Sequence, residues 1–392
     1  MERVLILDAN QRSALAVARS LGAKGLHVVA ADETRRTLAG SSKYCQETFA
    51  YPSPYSHPDH FVTTLASEAA QRGVKVIFPM TDITTALLLQ KQEQLEGFIL
   101  PCSSLEAFDR LTDKWKLHEL AQELGIPIPQ TVFVQQAKGL GEALSQLTYP
   151  VVLKPHRSRI WAEGRWVTAE VKYAHSAQEA ERIVTAYEWL SRHPFLVQEY
   201  VRGQAQGVFA LYNQSEPVAV FAHKRLREKP PSGGVSVLSE SVEVNPRLAE
   251  IAHKILKTVK WHGVAMVEFK VAPDGTPYLM EVNARFWGSL QLAIDSGVDF
   301  PWLLYQVATG QTPDRIDQYK VGIRSRWLLG DFLRLGRLLL GDGGPGQGSQ
   351  RWRAVLDFLH FFERNTRYEV NRWDDLKPFF FEVARLLQRF RT

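Results

Sequence analysis

A predicted hairpin in the second half of the chain carries three residues with the type and spacing of metal ligands. Two apolar, β-favouring runs flank Asp274-Gly275, and Asp-Gly favours a two-residue type I′ turn, because both central residues need positive φ. A turn centred there places Glu268 directly opposite Glu281, with Asn283 on the same face. Opposed carboxylates repel unless a cation lies between them, and oxygen ligands suit a hard divalent ion, Mg²⁺ above all. The sequence therefore predicts a metal site; a surface hairpin with two solvated glutamates is the alternative.

Two lysines nearer the N-terminus are candidate ligands for a polyphosphate. Lys114 lies in the first turn of an amphipathic helix predicted over residues 111–124, where the helix dipole disfavours a cation. It is either neutralised by Asp113 or held there for an anionic ligand. Lys154 ends an apolar strand predicted over residues 150–155. Together with the donor-bearing residues that follow it, Lys154 is a candidate polyphosphate clamp.

A third cationic cluster follows a later apolar strand. Lys224, Arg225 and Arg227 lead into a loop that contains Gly233 and Gly234. Paired glycines allow close backbone approach to a bound group, which makes the segment a candidate substrate or phosphate loop. A solvated charged face is the alternative.

The elements that begin the chain form an α/β pattern. Apolar runs over residues 3–8 and 27–32 flank a helical segment over residues 13–21, which predicts a β-α-β unit on a parallel sheet. The first turn lacks the G-x-G-x-x-G pattern of dinucleotide-binding proteins, so an NAD site is rejected. Ligands of such sheets bind at the carboxyl ends of the strands, where Asn10 and Asp82 fall. Asp82 also opens a predicted helix, and its type favours an N-cap role over substrate contact.

Composition restricts the class of protein. A chain of 392 residues is too long for one ordinary core and suggests two or three domains. Its 45% hydrophobic and 23% charged residues are typical of globular proteins. The chain has two cysteines, Cys45 and Cys102, and neither lies in a metal-ligand pattern. This argues against a disulfide scaffold and against a zinc site, and it fits a reducing, cytoplasmic compartment. The N-terminus does not read as a signal peptide, and no apolar run is long enough to span a membrane.

The net charge of +5 originates in one region. Residues 321–392 hold thirteen Lys or Arg against eight Asp or Glu, so the rest of the chain sums to zero and nucleic-acid binding by the main body is not expected. Arginines and aromatic residues lie on both sides of a flexible break at residues 341–349, over residues 324–340 and 351–390. The favoured interpretation is helices that pack on the body or across a dimer interface. The alternative is a basic amphipathic element that contacts an anionic membrane surface or a carrier protein.

Taken together and in their order along the chain, these motifs resemble the ATP-grasp superfamily. The resemblance is specifically to its bacterial carboxylate–amine ligase branch and to carbamoyl-phosphate-synthase-like relatives. The resemblance covers residues 1–310 and includes the N-terminal α/β pattern. Its motifs are the Asp113-Lys114 helix followed by Gly-Ile-Pro-x-Pro, the Val-Leu-Lys-Pro strand, the Gln-Glu-Tyr-Val segment at residues 198–201, and Glu268 with Glu281-x-Asn283. The resemblance implies an α/β (α+β) fold with a Rossmann-like domain over residues 1–108, an ATP-grasp domain of two α+β subdomains over residues 109–310, and a helical C-terminal extension over residues 311–392.

The resemblance also implies a role for each matching residue. The implied ATP contacts are Lys114, Lys154, Gln198, Glu199, Tyr200, Val201 and Gln206. The implied ligands of two Mg²⁺ ions, or of Mn²⁺ in their place, are Glu268, Glu281 and Asn283. Arg285 would stabilise charge that develops in the reaction. From the sequence pattern, Lys224 and Arg225 are predicted to share this catalytic role, and the predicted substrate contacts are Asn10, Asp82, Arg227, Gly233 and Gly234. Residues 156–166 hold one glycine, Gly164, where the family has a glycine-rich phosphate lid.

The implied activity is that of an ATP-dependent ligase. A substrate carboxylate would attack the γ-phosphate to give an acyl phosphate and ADP, and an amine, or less often a thiol, would then displace phosphate. The expected partners are small-molecule carboxylate and amine substrates, with a homodimer left open. The alternatives are an ATP-grasp phosphotransferase that stops at a phosphorylated product, and a non-catalytic nucleotide-binding protein.

Overall fold

The computed structural model describes residues 2–156, 159–162, 165–168, 171–230, 234–340, 348–361 and 363–389. Its strands form a four-stranded parallel sheet, a four-stranded antiparallel sheet, a seven-stranded mixed sheet and a separate hairpin. Within these ranges no helix has both the length and the apolar character that crossing a membrane requires.

The first hundred residues form β1 (Arg3–Ile6), α1 (Arg12–Ala23), β2 (His27–Asp32), β3 (Glu47–Ala50), α2 (Pro58–Gln71), β4 (Val76–Phe78) and α3 (Asp82–Gln90). The strands are parallel in the order β3-β2-β1-β4, and the predicted β-α-β unit is confirmed. Val4 and Ile6 pack in the cluster that contains α1, whereas Leu5 and Leu7 pack with α2 and α3. The continuous apolar run of β1 thus suits a sheet that is covered on both faces.

Residues 105–199 form α4 (Leu105–Thr112), α5 (Lys114–Glu123), β5 (Thr131–Val134), α6 (Leu140–Ser145), β6 (Val151–Pro155), β7 (Arg159–Ala162), β8 (Arg165–Thr168), β9 (Lys172–Ala174), α7 (Ala177–Ala186), α8 (Glu188–Arg192) and β10 (Phe195–Glu199). The single helix predicted over residues 111–124 is two helices. The Asp113 side chain accepts bonds from the N–H groups of Trp115 and Lys116 and so caps α5. The antiparallel sheet has the order β5-β10-β6-β9, and β7 pairs with β8.

Residues 204–308 form β11 (Gln204–Asn213), β12 (Glu216–Lys229), β13 (Val235–Val242), α9 (Pro246–Thr258), β14 (Gly263–Val271), β15 (Pro277–Asn283), α10 (Leu290–Ser296) and α11 (Phe300–Ala308). The strands are antiparallel in the order β15-β14-β11-β12-β13. Val267 and Phe269 pack under helices α4, α5 and α9 on one face, which we call the core face. Glu268 lies on the opposite face, which we call the site face. Further along the site face, Phe209 and Met266 join the core of the N-terminal sheet.

The turn between β14 and β15 differs from the predicted type I′ turn. The loop has three residues, Pro273, Asp274 and Gly275; Gly275 has a φ of 83°, whereas Asp274 does not adopt positive φ. Gly275 N–H donates to the Ala272 carbonyl and Ala272 N–H to the Thr276 carbonyl, both at 2.9 Å. A two-residue turn would have needed an N–H from Pro273, which proline lacks. The predicted turn type was therefore wrong.

The predicted opposition of Glu268 and Glu281 is nevertheless confirmed. Next to the turn, Lys270 pairs with Tyr278; Met280 is then bulged out of β15, and Glu268 pairs with Glu281. The bulge restores the register that a two-residue turn would have set.

Residues 324–389 form β16 (Arg324–Arg326), α12 (Leu328–Leu340), α13 (Gly348–Leu359), β17 (Thr366–Tyr368) and α14 (Lys377–Arg389). β16 pairs with β13, and β17 pairs with β16, so this region supplies two of the seven strands of the mixed sheet. The helix predicted from Arg324 begins instead at Leu328. The added strands pair the backbone of β13, which would otherwise be a sheet edge.

Buried polar contacts also join this region to α1. The Arg19 side chain donates to Asp375 Oδ2 at 2.8 Å and to the backbone carbonyls of Glu369 and Val370 at 2.7 and 2.8 Å. Asp375 Oδ2 accepts a further bond from Ser42 Oγ at 2.6 Å. Segments far apart in the sequence are thereby held together.

Candidate functional site

Three oxygen-bearing side chains meet on the site face of β14 and β15. Glu268 lies opposite Glu281 in the ladder, and Asn283 Nδ2 donates to Glu281 Oε1 at 3.2 Å. Arg225 Nη2 donates to Glu268 Oε1 at 2.6 Å, and Arg285 Nη2 donates to Asn283 Oδ1 at 3.1 Å. Each predicted metal ligand therefore has a polar or cationic neighbour at hydrogen-bond distance.

The two opposed carboxyl groups differ in their pKa. Burial raises the pKa of Glu268; the charge of Arg225 opposes this shift, and the charge of Glu281 adds to it. Burial also acts to raise the pKa of Glu281, but Lys114 and Lys154 outweigh it, so the pKa of Glu281 lies below its ordinary value. The site thus holds Glu281 as a carboxylate beside a second carboxyl group whose ionised form is disfavoured.

This donor set fits a hard divalent cation. A cation between Glu268 and Glu281 would remove the repulsion between their carboxylates, and the Asn283 side-chain oxygen is a further ligand of the type that Mg²⁺ takes. Over the described ranges, no group of three or more His, Cys, Asp or Glu side chains is placed to hold a metal ion. A metal here would therefore rely on Asn283 and on oxygen atoms of a bound ligand, in addition to the two glutamates.

Lys154 and Lys114 are held together by β6, β10 and α5. Lys154 Nζ donates to Gln198 Oε1 at 2.6 Å, and Gln198 Nε2 donates to Thr131 Oγ1 at 2.8 Å. Burial lowers the pKa of Lys154 to about 8, and the charge of Lys114 acts in the same direction. The Lys114 N–H donates to the His156 carbonyl at 3.0 Å, which ties the start of α5 to the end of β6. An anionic ligand would stabilise both ammonium groups.

A narrow cleft is lined by both lysines. Its polar lining is Lys114, Lys154, Gln198 and His118, and its apolar lining is Leu117, Ile128, Leu196, Leu279 and Met280. An apolar cavity that ends at two lysines suits a ligand with an aromatic part joined to an anionic chain. Neither His118 nor Met280 was predicted from the sequence. The spacing of His118, four residues after Lys114 on one helix, is a signal that would have found it.

Arg285 follows β15 and is held by Asp82, the first residue of α3. Its Nε donates to Asp82 Oδ1 at 3.0 Å and its Nη2 to Asp82 Oδ2 at 3.2 Å, a bidentate pair. The prediction that Asp82 is an N-cap was wrong, because Thr81 caps α3 in a capping box with Thr84 and Asp82 is the first helical residue. Asp82 therefore positions Arg285 beside Asn283.

Arg225 and Arg227 point to different parts of the molecule. Leu226 is bulged out of the pairing between β12 and β13, so the two arginines no longer share a face. Arg225 contacts Glu268, whereas Arg227 Nη1 donates to Asp331 Oδ2 of α12 at 2.6 Å. The contacts of Arg227 thus attach a C-terminal helix, and they do not support the predicted substrate role.

Lys224 and Gln206 lie on the core face. Gln206 pairs with Lys224 on one side and with Phe269 on the other, and residues directly opposite each other share a face. Lys224 Nζ lies 2.7 Å from Glu240 Oε1, and Arg324 Nε lies 2.6 Å from Glu240 Oε2. The structure places Lys224 and Arg225 on opposite faces of the sheet, because consecutive strand residues face opposite sides, and the catalytic role predicted for them stays a prediction. It likewise places Gln206 away from the face that carries Glu268.

The segment over residues 198–201 reaches the cleft at Gln198, but two of its backbone donors are engaged. The N–H groups of Glu199 and Tyr200 donate to backbone carbonyls at 2.9 and 3.0 Å. Lys270 Nζ donates to the Val201 carbonyl at 3.1 Å and lies 4.5 Å from the centre of the Tyr200 ring. The two N–H groups are therefore not available to a ligand. Lys270, two residues after Glu268 on the same strand, is a cation that was not predicted from the sequence and that period-two spacing would have found.

Two of the predicted substrate contacts have partners within the chain. Asn10 Oδ1 accepts a bond from the Leu38 N–H at 3.3 Å. At Gly234, a Cβ atom would lie 2.4 Å from the Lys229 carbonyl oxygen, so glycine allows the chain's own close approach. The other glycines of the predicted loops, Gly164 and Gly233, lie outside the described residues.

Known proteins match part of this chain. The family model described as "ATP-grasp in the biosynthetic pathway with Ter operon" matches residues 191–330. The chain is 23% identical over 309 residues to the carbamoyl phosphate synthase large chain of Methanothermobacter thermautotrophicus, which covers 76% of this chain and 28% of the relative. It is 23% identical over 206 residues to the D-aspartate ligase of Enterococcus faecium, which covers 50% of this chain and 49% of the relative. The chain thus spans less than half the length of these relatives.

A solved structure shares the fold. The ADP complex of an N5-carboxyaminoimidazole ribonucleotide synthetase superposes with a TM-score of 0.67 at 15% identity, over 87% of this chain and 86% of that one. The order of the motifs, the family match and the shared fold agree. Residues 191–330 therefore match an ATP-grasp family model, and the chain is similar to carbamoyl phosphate synthase and to a D-aspartate ligase.

Proposed function

We propose that this chain is an ATP-dependent ligase that joins a carboxylate to an amine through an acyl phosphate, with ADP and phosphate as the other products. The observation that carries the proposal is geometric: Glu268 and Glu281 lie opposite each other in the ladder, and Lys114 and Lys154 line a cleft together with Leu279 and Met280 of the strand that carries Glu281. The similarity to a protein named as a D-aspartate ligase supports ligation as the reaction class.

ATP and Mg²⁺ fit this site by their chemistry. The apolar lining of the cleft would take the adenine ring, and Lys114 and Lys154 would take the phosphates. Glu268, Glu281 and Asn283 would hold Mg²⁺, which when bound neutralises charge on the phosphate oxygens. It stays a prediction that the site holds two metal ions and that Mn²⁺ can replace Mg²⁺.

Arg285 would stabilise the charge that develops on the reacting groups. Its bidentate pair with Asp82 fixes the guanidinium plane, and its contact with Asn283 keeps it beside the metal ligands. A cation that is held in place in advance of the reaction needs no reorganisation when charge develops. In the first step a substrate carboxylate oxygen bonds to the γ-phosphorus and ADP leaves. In the second, the amine nitrogen bonds to the acyl carbon, phosphate leaves, and the amine gives up a proton.

The test is ADP release with Mg²⁺ and ATP over a panel of carboxylates, each with and without a panel of amines. A ligase forms ADP and an amide in equal amounts. ADP with a stable phosphorylated product would instead identify a phosphotransferase. Bound ATP without turnover for any pair would favour a non-catalytic nucleotide-binding protein.

Glu281→Gln is predicted to remove Mg²⁺-dependent ADP formation. The change keeps the size of the side chain but removes the charge that a metal ligand needs, so we expect a loss of about a hundredfold or more. Glu216→Gln, on the exposed hairpin end of β12, is the matched control and should keep full activity. Wild-type turnover in Glu281→Gln, with an unchanged unfolding midpoint, would refute the metal assignment.

We also propose a division of the chain into functional units. Residues 1–108 would form a Rossmann-like domain, residues 109–310 an ATP-grasp domain of two α+β subdomains, and residues 311–392 an extension. The parallel N-terminal sheet and the two sheets that follow it support this division. Strands β16 and β17 attach the extension to the larger sheet of the ATP-grasp domain.

A further inference from the structure

Helices α12 and α13 expose large apolar side chains at helical spacing. On α13, Trp352, Leu356 and Leu359 are each more than half exposed, and their spacing of four and three residues puts them on one face. On α12, Phe332 and Leu339 are seven residues apart, and both side chains are exposed. We call these five residues the α12–α13 patch.

The two helices pack against each other through Phe332 of the patch and Phe358 of α13. The ring of Phe332 lies 6.2 Å from the ring of Phe358, the residue preceding Leu359. Phe358 in turn contacts Phe361 at 5.5 Å and lies 4.7 Å from the Arg326 guanidinium carbon, which fixes the inner side of α13. Single apolar residues are common on protein surfaces, but a joined apolar patch marks a binding surface.

The surface around the patch is basic. Residues 321–392 carry an excess of positive charge equal to the net charge of the whole chain, +5. Three of the acidic residues in this region, Asp331, Glu369 and Asp375, are buried and form ion pairs with arginines from outside it. Those acids therefore do not offset exposed cations such as Arg337 on α12. Arg324 and Arg372 are in turn paired with acids from outside the region. Among the side chains of this region whose exposure is described, the exposed cations outnumber the exposed acids: Arg337, Arg364, Arg367, Lys377 and Arg385 against Asp357 and Asp374.

We propose that the α12–α13 patch binds the surface of an anionic membrane. Trp and Leu side chains on one face of a helix enter the headgroup region, and nearby arginines contact the lipid phosphates. A second copy of the chain fits the patch less well, because a twofold interface would bring the same basic region of both copies together.

The test is flotation of the full chain with phosphatidylcholine vesicles, with and without phosphatidylglycerol. We expect retention on the anionic vesicles that falls at high salt, and little retention on the neutral ones. Trp352→Ser combined with Leu356→Ser should lower retention about tenfold or more, because two apolar side chains lose their burial in the lipid. Trp373→Ser is the matched control, since Trp373 is 91% exposed but lies outside both helices.

ADP release and the unfolding midpoint should be unchanged in both variants, because neither touches the cleft. Equal retention of the double variant and the unmodified chain would overturn the proposal, as would equal retention on neutral and anionic vesicles. A dimer in light scattering that the double variant converts to a monomer, without retention on vesicles, would assign the patch to a second copy and also overturn it.

Discussion

Asp82 and Arg285 connect the N-terminal sheet to the proposed reaction centre through one pair of side chains. The two residues are 203 positions apart, yet the carboxylate binds the guanidinium at both oxygens. Such a pair restricts the rotation of Arg285 as well as neutralising it. Helix α3 of the N-terminal region therefore contributes to the geometry of the site through this contact.

Asp82→Asn is predicted to lower kcat for ADP release by about tenfold to a hundredfold, because a charge-assisted hydrogen bond is lost and Arg285 can rotate. KM for ATP should change little, since Lys114 and Lys154 would still bind the phosphates. Asp59→Asn, in the first turn of α2, controls for the loss of an acid from a helix start. Partial recovery in Asp82→Glu would support a positioning role, and an unchanged kcat in Asp82→Asn would show that other contacts place Arg285.

His223 makes the stability of the fold depend on pH. Its Nε2 lies 2.7 Å from Ser289 Oγ, and burial lowers its pKa from 6.5 to about 3. Below pH 6.5 the unfolded chain therefore binds more protons than the folded one, and the stability contributed by neutral His223 falls as the pH falls. His223 should lower the free energy of unfolding by about 2 kcal/mol at pH 5 relative to pH 7.5. The unfolding free energy of His223→Gln, measured with urea, should lack this pH-dependent contribution. The same pH dependence in both proteins would contradict the assignment.

At the scale of elements, the hairpin shows what local sequence can predict. The Asp-Gly dipeptide located the turn, and the alternating pattern placed Glu268 and Glu281 on the same face. The missing N–H of Pro273 would have excluded the two-residue loop. The bulge at Met280 has no such signature, because methionine has no backbone preference that marks a bulge.

Deletion of Pro273 is predicted to leave the site intact. It would convert the loop to the two-residue Asp-Gly turn, closed by Ala272 and Thr276, which already form a backbone bond at 2.9 Å. The pairs from Val271 with Pro277 onward would keep their register. We expect an unfolding free energy within about 1 kcal/mol of the unmodified chain and unchanged ADP release. Loss of activity with a retained fold would show that the loop itself takes part in the site.

Strand β12 illustrates a second limit. Period-two spacing by itself separates Lys224 from Arg225, since neighbours on a strand face opposite sides. The separation of Arg225 from Arg227 depends on the bulge at Leu226, which the sequence does not reveal. The predicted cationic loop thus contributes one residue, Arg225, to the site face.

At the scale of the whole molecule, the family motifs predicted the fold, because each motif is local. Contacts such as Arg285 with Asp82 and Arg19 with Asp375 join segments more than two hundred residues apart. No local pattern records such a pairing. The two strands that residues 324–368 add to the sheet were missed for the same reason, since three-residue strands are too short to show a period.

Asp375→Asn is predicted to destabilise the protein by about 3 kcal/mol, because it leaves the buried Arg19 guanidinium without its carboxylate. Urea unfolding measures the change. The neighbouring Asp374→Asn is the matched control: the Asp374 side chain is 59% exposed, and its loss should cost no more than about 0.5 kcal/mol. Equal losses of unfolding free energy in the two variants would show that the buried ion pair stabilises the protein no more than an exposed acid does.

The contact between Arg19 and Asp375 also bears on the order in which the protein is made. The two residues are 356 positions apart, so at about 5–20 residues per second a ribosome needs roughly 20–70 s to add one after the other. During that time α1 carries a guanidinium whose carboxylate and carbonyl partners do not yet exist. The parallel sheet that emerges first is thus completed by a segment translated much later, and its full stability is gained only after most of the chain has left the ribosome.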